Sequence, residues 1–146
     1  MIVTAKSEYA IRALIELAVS EEKLPSHEIA HRQNIPEVYL KQILATLKQS
    51  GLLDGERGAH GGYRLARDPK EITLRQVVEL IEGEIKDSHC HEYGKQNCGE
   101  FYYECKLREV WDEALGEFLK VLDRFTIAQF AELKKKSPSL VPPPPR

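Results

Sequence analysis

The sequence predicts a mainly α-helical protein with one short two-stranded hairpin and a long helix near its carboxyl terminus. Apolar residues recur at helical spacing along the first half, beginning with Ala10, Ala13, Leu14 and Leu17. Several glycines separate two short apolar segments, as in a tight β-hairpin. Further along, apolar residues recur at alternating steps of four and three, close to the seven-residue period of paired helices. The members of this stripe are Trp111, Leu115, Phe118, Leu122 and Phe125.

Three helices are expected before the hairpin. The first covers residues 6–19, and the second covers 27–33, with Ser26 as its expected N-cap. Pro36 suits the first turn of the third helix because a missing N–H costs nothing there. Gly51 is expected to end that helix.

The hairpin and the later helices follow from the same reasoning. The two strands are expected over residues 52–57 and 63–66, and a fourth helix over 73–82. Residues 84–104 have no clear periodicity. The long helix is expected over 103–125, and a last helix over 127–135.

Composition limits the possible classes of protein. The chain has 146 residues, 42% hydrophobic and 30% charged, enough for one small domain with an extension. No apolar run reaches 18 residues, and charged residues at Lys6 and Glu8 argue against a secretory signal. A cytoplasmic protein with no membrane association is therefore expected. The net charge of −2 is unevenly distributed, because residues 32–70 carry +3 and residues 71–146 carry −3.

The order helix, helix, turn, helix, hairpin is that of a winged helix-turn-helix domain. The third helix would push its first turns into the DNA major groove, with Gln42 able to read adenine and Lys41 able to reach guanine or phosphate. Arg57, at the base of the glycine-rich wing, could enter a narrow minor groove. The alternatives are a winged helix that binds protein, and wing glycines that only permit a tight turn.

Three cysteines, Cys90, Cys98 and Cys105, lie within sixteen positions. An odd number in a reducing compartment argues against disulfides and favours metal or redox chemistry. Thiolates suit iron–sulfur clusters, and a helix start after the last cysteine would stabilise negative charge there. Zinc with help from His89 or His91, metal-free redox thiols, and small buried apolar side chains remain alternatives.

Several segments resemble one known family. The wing and the residues after it (57–69, 72–74 and 81–83) are similar to those of the IscR/NsrR/RirA-like winged-helix regulators, the Rrf family. Residues 4–10 and 35–40 are similar too, and the resemblance covers about residues 1–136. It implies a homodimer that pairs through the long helix. It also implies an iron–sulfur repressor or activator that senses iron, redox state or nitric oxide; we expect a repressor.

The resemblance also implies positions for DNA contact. Lys41 departs from an acidic residue in some relatives, so the operator sequence cannot be inherited. The expected DNA-binding residues are Val38, Tyr39, Lys41 and Gln42 in the major groove, and Arg57, Gly58, His60 and Gly61 in the wing.

For the cluster, the resemblance implies Cys90, Cys98 and Cys105 as ligands and leaves the fourth ligand open. Arg108 stands where some relatives have a ligating histidine, and it cannot ligate a metal. The histidine of another kind of relative would fall at Gln33, which weakens that scheme too. Glu8 matches a carboxylate that other relatives donate from the partner subunit, although it could also be a solvated helix-end charge. His89, His91 or water would follow. Three thiolates with an oxygen ligand favour 4Fe–4S over 2Fe–2S.

These expectations divide the chain into four segments. An enzyme is not expected, because no nucleophile and base are suitably arranged. The long helix could also pack only on its own domain, and a cluster-free, zinc or thiol-based regulator of the same fold is the alternative function. The segments are a DNA-binding winged helix at 1–83, a cysteine loop at 84–105, dimerisation helices at 106–136, and a disordered proline-rich tail at 137–146.

Overall fold

The computed structural model describes residues 3–85 and 94–137. Within these ranges the fold is mainly helical, with one antiparallel two-stranded sheet, as the sequence predicts. Two 3₁₀ segments, Pro69–Glu71 and Gly99–Glu104, supplement the helices. In chain order the elements are α1 (Ala5–Ser20), α2 (Ser26–Gln33), α3 (Glu37–Gln49), β1 (Leu53–Glu56), β2 (Gly62–Leu65), α4 (Leu74–Glu82), α5 (Gly94–Cys98), α6 (Lys106–Arg124) and α7 (Ile127–Lys136).

The core forms around α1, which contacts α2, α3, α4, α7 and the second strand of the wing. The apolar stripes predicted for α1 and α3 are confirmed, because their side chains are buried. Removing large aliphatic side chains from water contributes about 1.5–3 kcal/mol each to folding. Burial therefore fixes which face of α3 points outward. The buried stripe of α3 consists of Leu40, Ile43, Leu44 and Leu47.

Two predicted helix ends are wrong. Ser26 does not cap α2; it is the first residue of that helix, and its hydroxyl donates to Glu37 instead. The long helix begins at Lys106 rather than near Tyr103, because the residues before it form the 3₁₀ segment. Thr73, by contrast, caps α4 through a reciprocal capping box with Gln76.

A pair of backbone hydrogen bonds fastens the end of α6 to the start of α4. The N–H of Leu74 donates to the carbonyl of Phe125, and the N–H of Ile127 donates to the carbonyl of Ile72, both at 2.9 Å. Leu122 is buried just before this junction. The chain then turns back, and α7 packs along α1 with Ile127 and Ala131 buried.

A buried carboxylate joins α1, α2 and α7. Glu16 of α1 is only 4% exposed, and it accepts hydrogen bonds from Gln33 and Arg32 of α2 and from Lys134 of α7. Burial would raise the pKa of Glu16, but the hydrogen bonds from Lys134, Gln33 and Arg32 and the charge of Lys134 together lower it. The charge of Glu16 therefore stabilises the packing of α7 on α1 and α2.

We predict that Glu16→Gln, which keeps volume but removes charge, lowers the free energy of unfolding by about 1–3 kcal/mol near neutral pH. Because the folded-state pKa of Glu16 is lowered, its contribution is fully present above the unfolded pKa, about 4.5. It should be lost as pH falls through the lower folded value. Urea unfolding of both proteins across this pH range measures the difference.

Glu21→Gln is the matched control. Glu21 pairs with Lys135, so it joins the same two helices, but on the exposed surface. Exposed pairs contribute little, so this variant should unfold like the wild type. Equal destabilisation by both substitutions would contradict a special role for the buried carboxylate.

Candidate functional site

The first two turns of α3 carry several side chains that point away from the core. Val38 is 76% exposed, so its side chain is open to a binding partner. Lys41 and Gln42 are exposed one turn further along. Tyr39 is half-buried, packs against the core and meets Tyr9 edge to face with ring centroids 5.9 Å apart. Three of the four predicted major-groove residues are thus freely accessible, and Tyr39 is partly occupied by packing.

Glu37 opens α3 and is held by neighbours on both sides. Its Oε1 lies 2.8 Å from Nζ of Lys41 and accepts from the Ser26 hydroxyl at 3.2 Å. The hydrogen bond from Lys41 is the largest cause of the lowered pKa of Glu37. The first turn of α3 therefore presents a fixed pair of opposite charges.

The wing is an antiparallel hairpin in which Leu53 pairs with Leu65 and Glu56 with Gly62. All predicted wing residues lie at its tip: Arg57, Gly58 and His60 are exposed, and Gly61 is partly exposed. The N–H of Gly61 donates to the carbonyl of Gly58 at 3.0 Å and closes the turn. The hairpin thus carries Arg57 and His60 away from the core on a short, tightly turned loop.

The base of the wing is attached to the residues before α2. Leu24 and Tyr63 exchange backbone hydrogen bonds of 3.0 and 2.8 Å. Gly62 makes this approach possible: its φ is +153°, and a Cβ there would lie 2.8 Å from the carbonyl carbon of Leu24. Backbone hydrogen bonds therefore attach the wing to the helix-turn-helix.

Two of the three predicted cysteine ligands lie in the described part of the chain. Cys98 is the exposed last residue of α5, and Cys105 is half-buried at the N-cap position of α6. Both are free thiols. Cys90, with His89 and His91, lies outside the described residues. In residues 3–85 and 94–137, no three His, Cys, Asp or Glu side chains come close enough to hold a metal.

Glu8, the predicted fourth ligand, projects from the first turn of α1 and is 61% exposed. Its carboxylate lies 3.4 Å from Nη1 of Arg12, whose guanidinium is buried and also bonds Gln33. Gln33 is therefore committed to this polar contact. Glu8 keeps a largely open carboxylate.

Arg108 has a structural role that the sequence did not reveal. Its Nε donates to the Tyr102 carbonyl at 3.2 Å, and its guanidinium lies 4.7 Å from the centroid of the Tyr102 ring. It also pairs with Asp112 one turn along α6. Arg108 thereby fastens the 3₁₀ segment between the two described cysteines to the start of α6.

Much of α6 presents an apolar face that no other residue of the described ranges, 3–85 and 94–137, covers fully. The predicted stripe is split: Leu122 is buried against its own domain, whereas Trp111 is 55% and Phe125 42% exposed. Three residues of the predicted stripe, Trp111, Phe118 and Phe125, belong to the exposed face. The residues of the exposed face, which include the half-buried Phe118, recur at alternating steps of four and three. They are Leu107, Trp111, Ala114, Phe118, Val121 and Phe125.

An exposed recognition helix, a glycine-tipped wing and a buried three-helix core define a winged helix-turn-helix protein of the DNA-binding class. The family model described as "Rrf2: Iron-dependent Transcriptional regulator" matches residues 3–133, and the chain belongs to this family. It is a DNA-binding transcriptional regulator rather than an enzyme. No helix in the described ranges has the length and apolarity needed to cross a membrane.

Known proteins place the chain among several kinds of regulator. It is 35% identical to the HTH-type transcriptional regulator NsrR of Geobacillus kaustophilus over 143 residues, 97% of each chain. IscR of T. potens superposes with a TM-score of 0.70 and 30% identity, covering 95% of this chain and 90% of that one. CymR, the global cysteine regulator of B. subtilis, gives 0.70 and 29%, covering 90% and 96%. The confirmed family and fold are thus shared by regulators that carry different names.

We predict that Gly62→Ala loosens the wing. A Cβ would collide with the backbone of Leu24 and Pro25, and the positive φ adds strain. Amide hydrogen exchange at Leu24 and Tyr63 should accelerate at least tenfold, which corresponds to about 1.4 kcal/mol of local stability.

Gly58→Ala separates strain from collision. Gly58 also has a positive φ, +111°, but a Cβ there meets nothing within 4 Å. This variant should leave exchange at Leu24 and Tyr63 nearly unchanged. Similar acceleration in both variants would mean that backbone strain, and not the close approach to Leu24, explains Gly62.

Proposed function

We propose that the protein is a homodimeric repressor whose operator affinity is set by an iron–sulfur cluster bound to Cys90, Cys98 and Cys105. The observation that carries the proposal is the position of Cys105. It is a free thiol at the N-cap of the helix that carries the uncovered apolar face. A change at the cysteines therefore acts directly on the element proposed to join two subunits.

DNA contact is assigned to the first turns of α3 and to the tip of the wing. Val38 can meet a thymine methyl group, Gln42 can bond adenine, and Lys41 can donate to guanine. Tyr39 contributes from its half-buried position at the edge of this surface. Arg57 and His60 approach the minor groove and the phosphates, where Gly58 and Gly61 let the backbone come close.

The donor set fits an iron–sulfur cluster. Thiolates are the donors that such clusters use, and the free N–H groups at the start of α6 favour negative charge beside Cys105. The fourth ligand is assigned to Glu8 of the partner subunit, because its carboxylate is exposed. Three thiolates and one oxygen favour 4Fe–4S. When bound, the cluster supplies sensitivity to iron supply, oxidants or nitric oxide.

Dimerisation is assigned to the apolar face of α6. The 4–3 spacing from Leu107 to Phe125 is that of two helices packing side by side. Pairing would cover Trp111, Val121 and Phe125 and place two recognition helices about one DNA turn apart. The apolar area left in water by a single chain is the physical reason to expect a second copy.

Coupling between cysteines and DNA follows from this arrangement. Cys98, Cys105 and the partner's Glu8 would hold the cluster and would thereby link the start of α6 to the other subunit. Loss of the cluster would remove that link. A hundredfold change in operator affinity requires about 2.7 kcal/mol of difference between the two states.

We predict that anaerobically purified wild type is coloured and contains iron. Cys90→Ser, Cys98→Ser and Cys105→Ser should each lose most of the iron, because a hydroxyl is a poor replacement for a thiolate. Glu8→Gln should bind iron more weakly. Iron and sulfide analysis, visible absorption and operator binding before and after cluster removal provide the measurements.

Glu100→Gln, an exposed acid between the two described cysteines, is the control and should retain full iron. Wild type that stays colourless and iron-free after reconstitution with ferrous iron and sulfide would refute the cluster. Equal operator affinity with and without iron would refute the switch. In the former case, DNA binding by a cluster-free, zinc or thiol-based regulator would be the remaining function.

For the dimer, we predict that Trp111→Glu converts the protein from twice the chain mass of 16.7 kDa to the single mass. A carboxylate on the apolar face would have to be buried without a partner. Light scattering coupled to size-exclusion chromatography measures the change. Glu113→Lys, an exposed charge change outside the 4–3 face, should leave the mass unchanged. A monomeric wild type, or a Trp111→Glu dimer, would contradict this interface.

A further inference from the structure

We propose that Glu37 and Lys41 act as one unit that reads a G·C base pair and that Glu37 keeps Lys41 from serving as a general phosphate anchor. The inference rests on the proposed role of α3 in the major groove. It assigns a specificity-determining function to Glu37, whose contacts place it beside the base-reading residues.

Glu37 is fixed in place rather than freely solvated. Its Oε1 is held by Lys41 from the next turn of α3 and by Ser26 from the start of α2. Ser26 is available for this contact because it does not cap its own helix. Two donors from two different helices thus orient one carboxylate at the entry of the recognition helix.

The pair is accessible to a ligand in this orientation. The Glu37 side chain is 40% exposed and that of Lys41 is 58% exposed. Both contacts of the carboxylate use Oε1, and the ammonium of Lys41 has three donors, of which Glu37 occupies one. The pair therefore presents an acceptor and donors side by side.

This arrangement matches one base-pair edge. In the major groove, guanine offers two acceptors, O6 and N7, while its paired cytosine offers the N4 donor next to O6. Lys41 can donate to guanine while Glu37 accepts from cytosine. A phosphate, by contrast, would meet a carboxylate that repels it beside an ammonium whose charge that carboxylate neutralises.

The net charge of the Glu37–Lys41 pair determines how strongly DNA binding should depend on salt. A lysine that neutralises a phosphate steepens the fall of affinity with salt by about 0.9 in log–log slope. Lys41 paired with Glu37 has no net charge to contribute. Removing the carboxylate should therefore strengthen binding to random DNA while weakening discrimination, which is the opposite of losing an ordinary contact.

The experiment selects duplexes from a random pool with wild type and with Glu37→Gln, then measures affinity for selected and random duplexes at several salt concentrations. Wild type should require G·C at one position of each half-site, with about tenfold or greater discrimination. Glu37→Gln should lose that requirement, bind random DNA several-fold more tightly and show a steeper salt dependence.

Glu117→Gln is the control, since Glu117 forms an exposed pair with Lys120 on α6. It should bind as wild type does. A Lys41→Gln variant and the double variant complete a cycle; losses of discrimination that do not add would support a joint reading of the base pair.

The results separate this inference from the function on which it rests. If wild type selects no sequence, the proposed DNA reading by α3 is wrong, and the inference fails with it. If wild type selects an operator and Glu37→Gln selects the same one with equal discrimination, only the inference is overturned. A lower unfolding temperature with unchanged selection would then identify Glu37 as a helix-end stabiliser.

Discussion

The junction between α6 and α7 is the constraint on which the arrangement of the molecule depends. One backbone hydrogen bond joins Phe125 to Leu74, the first residue of α4. Another joins Ile127 to Ile72, which lies just before that helix. Leu122 adds apolar contact next to them. Backbone bonds do not depend on a particular side chain, so the junction tolerates variation in sequence. It fixes one end of α6 and leaves the rest of that helix to make contacts elsewhere.

Buried polar contacts give the helix-turn-helix a second attachment to α7. Glu16 meets Lys134 from α7 and two residues of α2, and Arg12 bonds both the side chain and the backbone of Gln33. Such buried groups are costly unless every partner is present. The orientation of α2, and with it the turn into α3, is consequently tied to the carboxyl-terminal helix as well as to the apolar core.

The sequence predicted the helices whose apolar side chains have a clear period. In α1 and α3 the residues of the predicted apolar stripes are all buried in the core, so the pattern is simple. The stripe on α6 combines two functions: Leu122 belongs to the core, whereas Trp111 and Phe125 belong to an exposed face. Periodicity alone cannot separate two overlapping stripes on one helix.

Short polar elements left no comparable signal. The five residues of α5 and the 3₁₀ segment after it bury almost nothing, so no apolar repeat announces them. Serine is a typical helix-capping residue, but the hydroxyl of Ser26 donates a hydrogen bond to Glu37, which lies eleven residues away. The stacking of Arg108 on Tyr102 is likewise a contact between neighbouring elements. These features depend on tertiary geometry, which local sequence rules do not contain.

The proposed switch requires that a structural change at the cysteines alters the position of α3. The rigid helix α6 can transmit such a change. A helix of nineteen residues is about 28 Å long at 1.5 Å per residue. Cys105 stands at its free end, and the backbone junction with α4 at its fixed end. A small tilt about the junction therefore produces its largest displacement beside the cysteines and the proposed partner subunit. Because each fixed end belongs to a DNA-binding domain, changing how two such helices pair changes the separation of two recognition helices without requiring either domain to unfold.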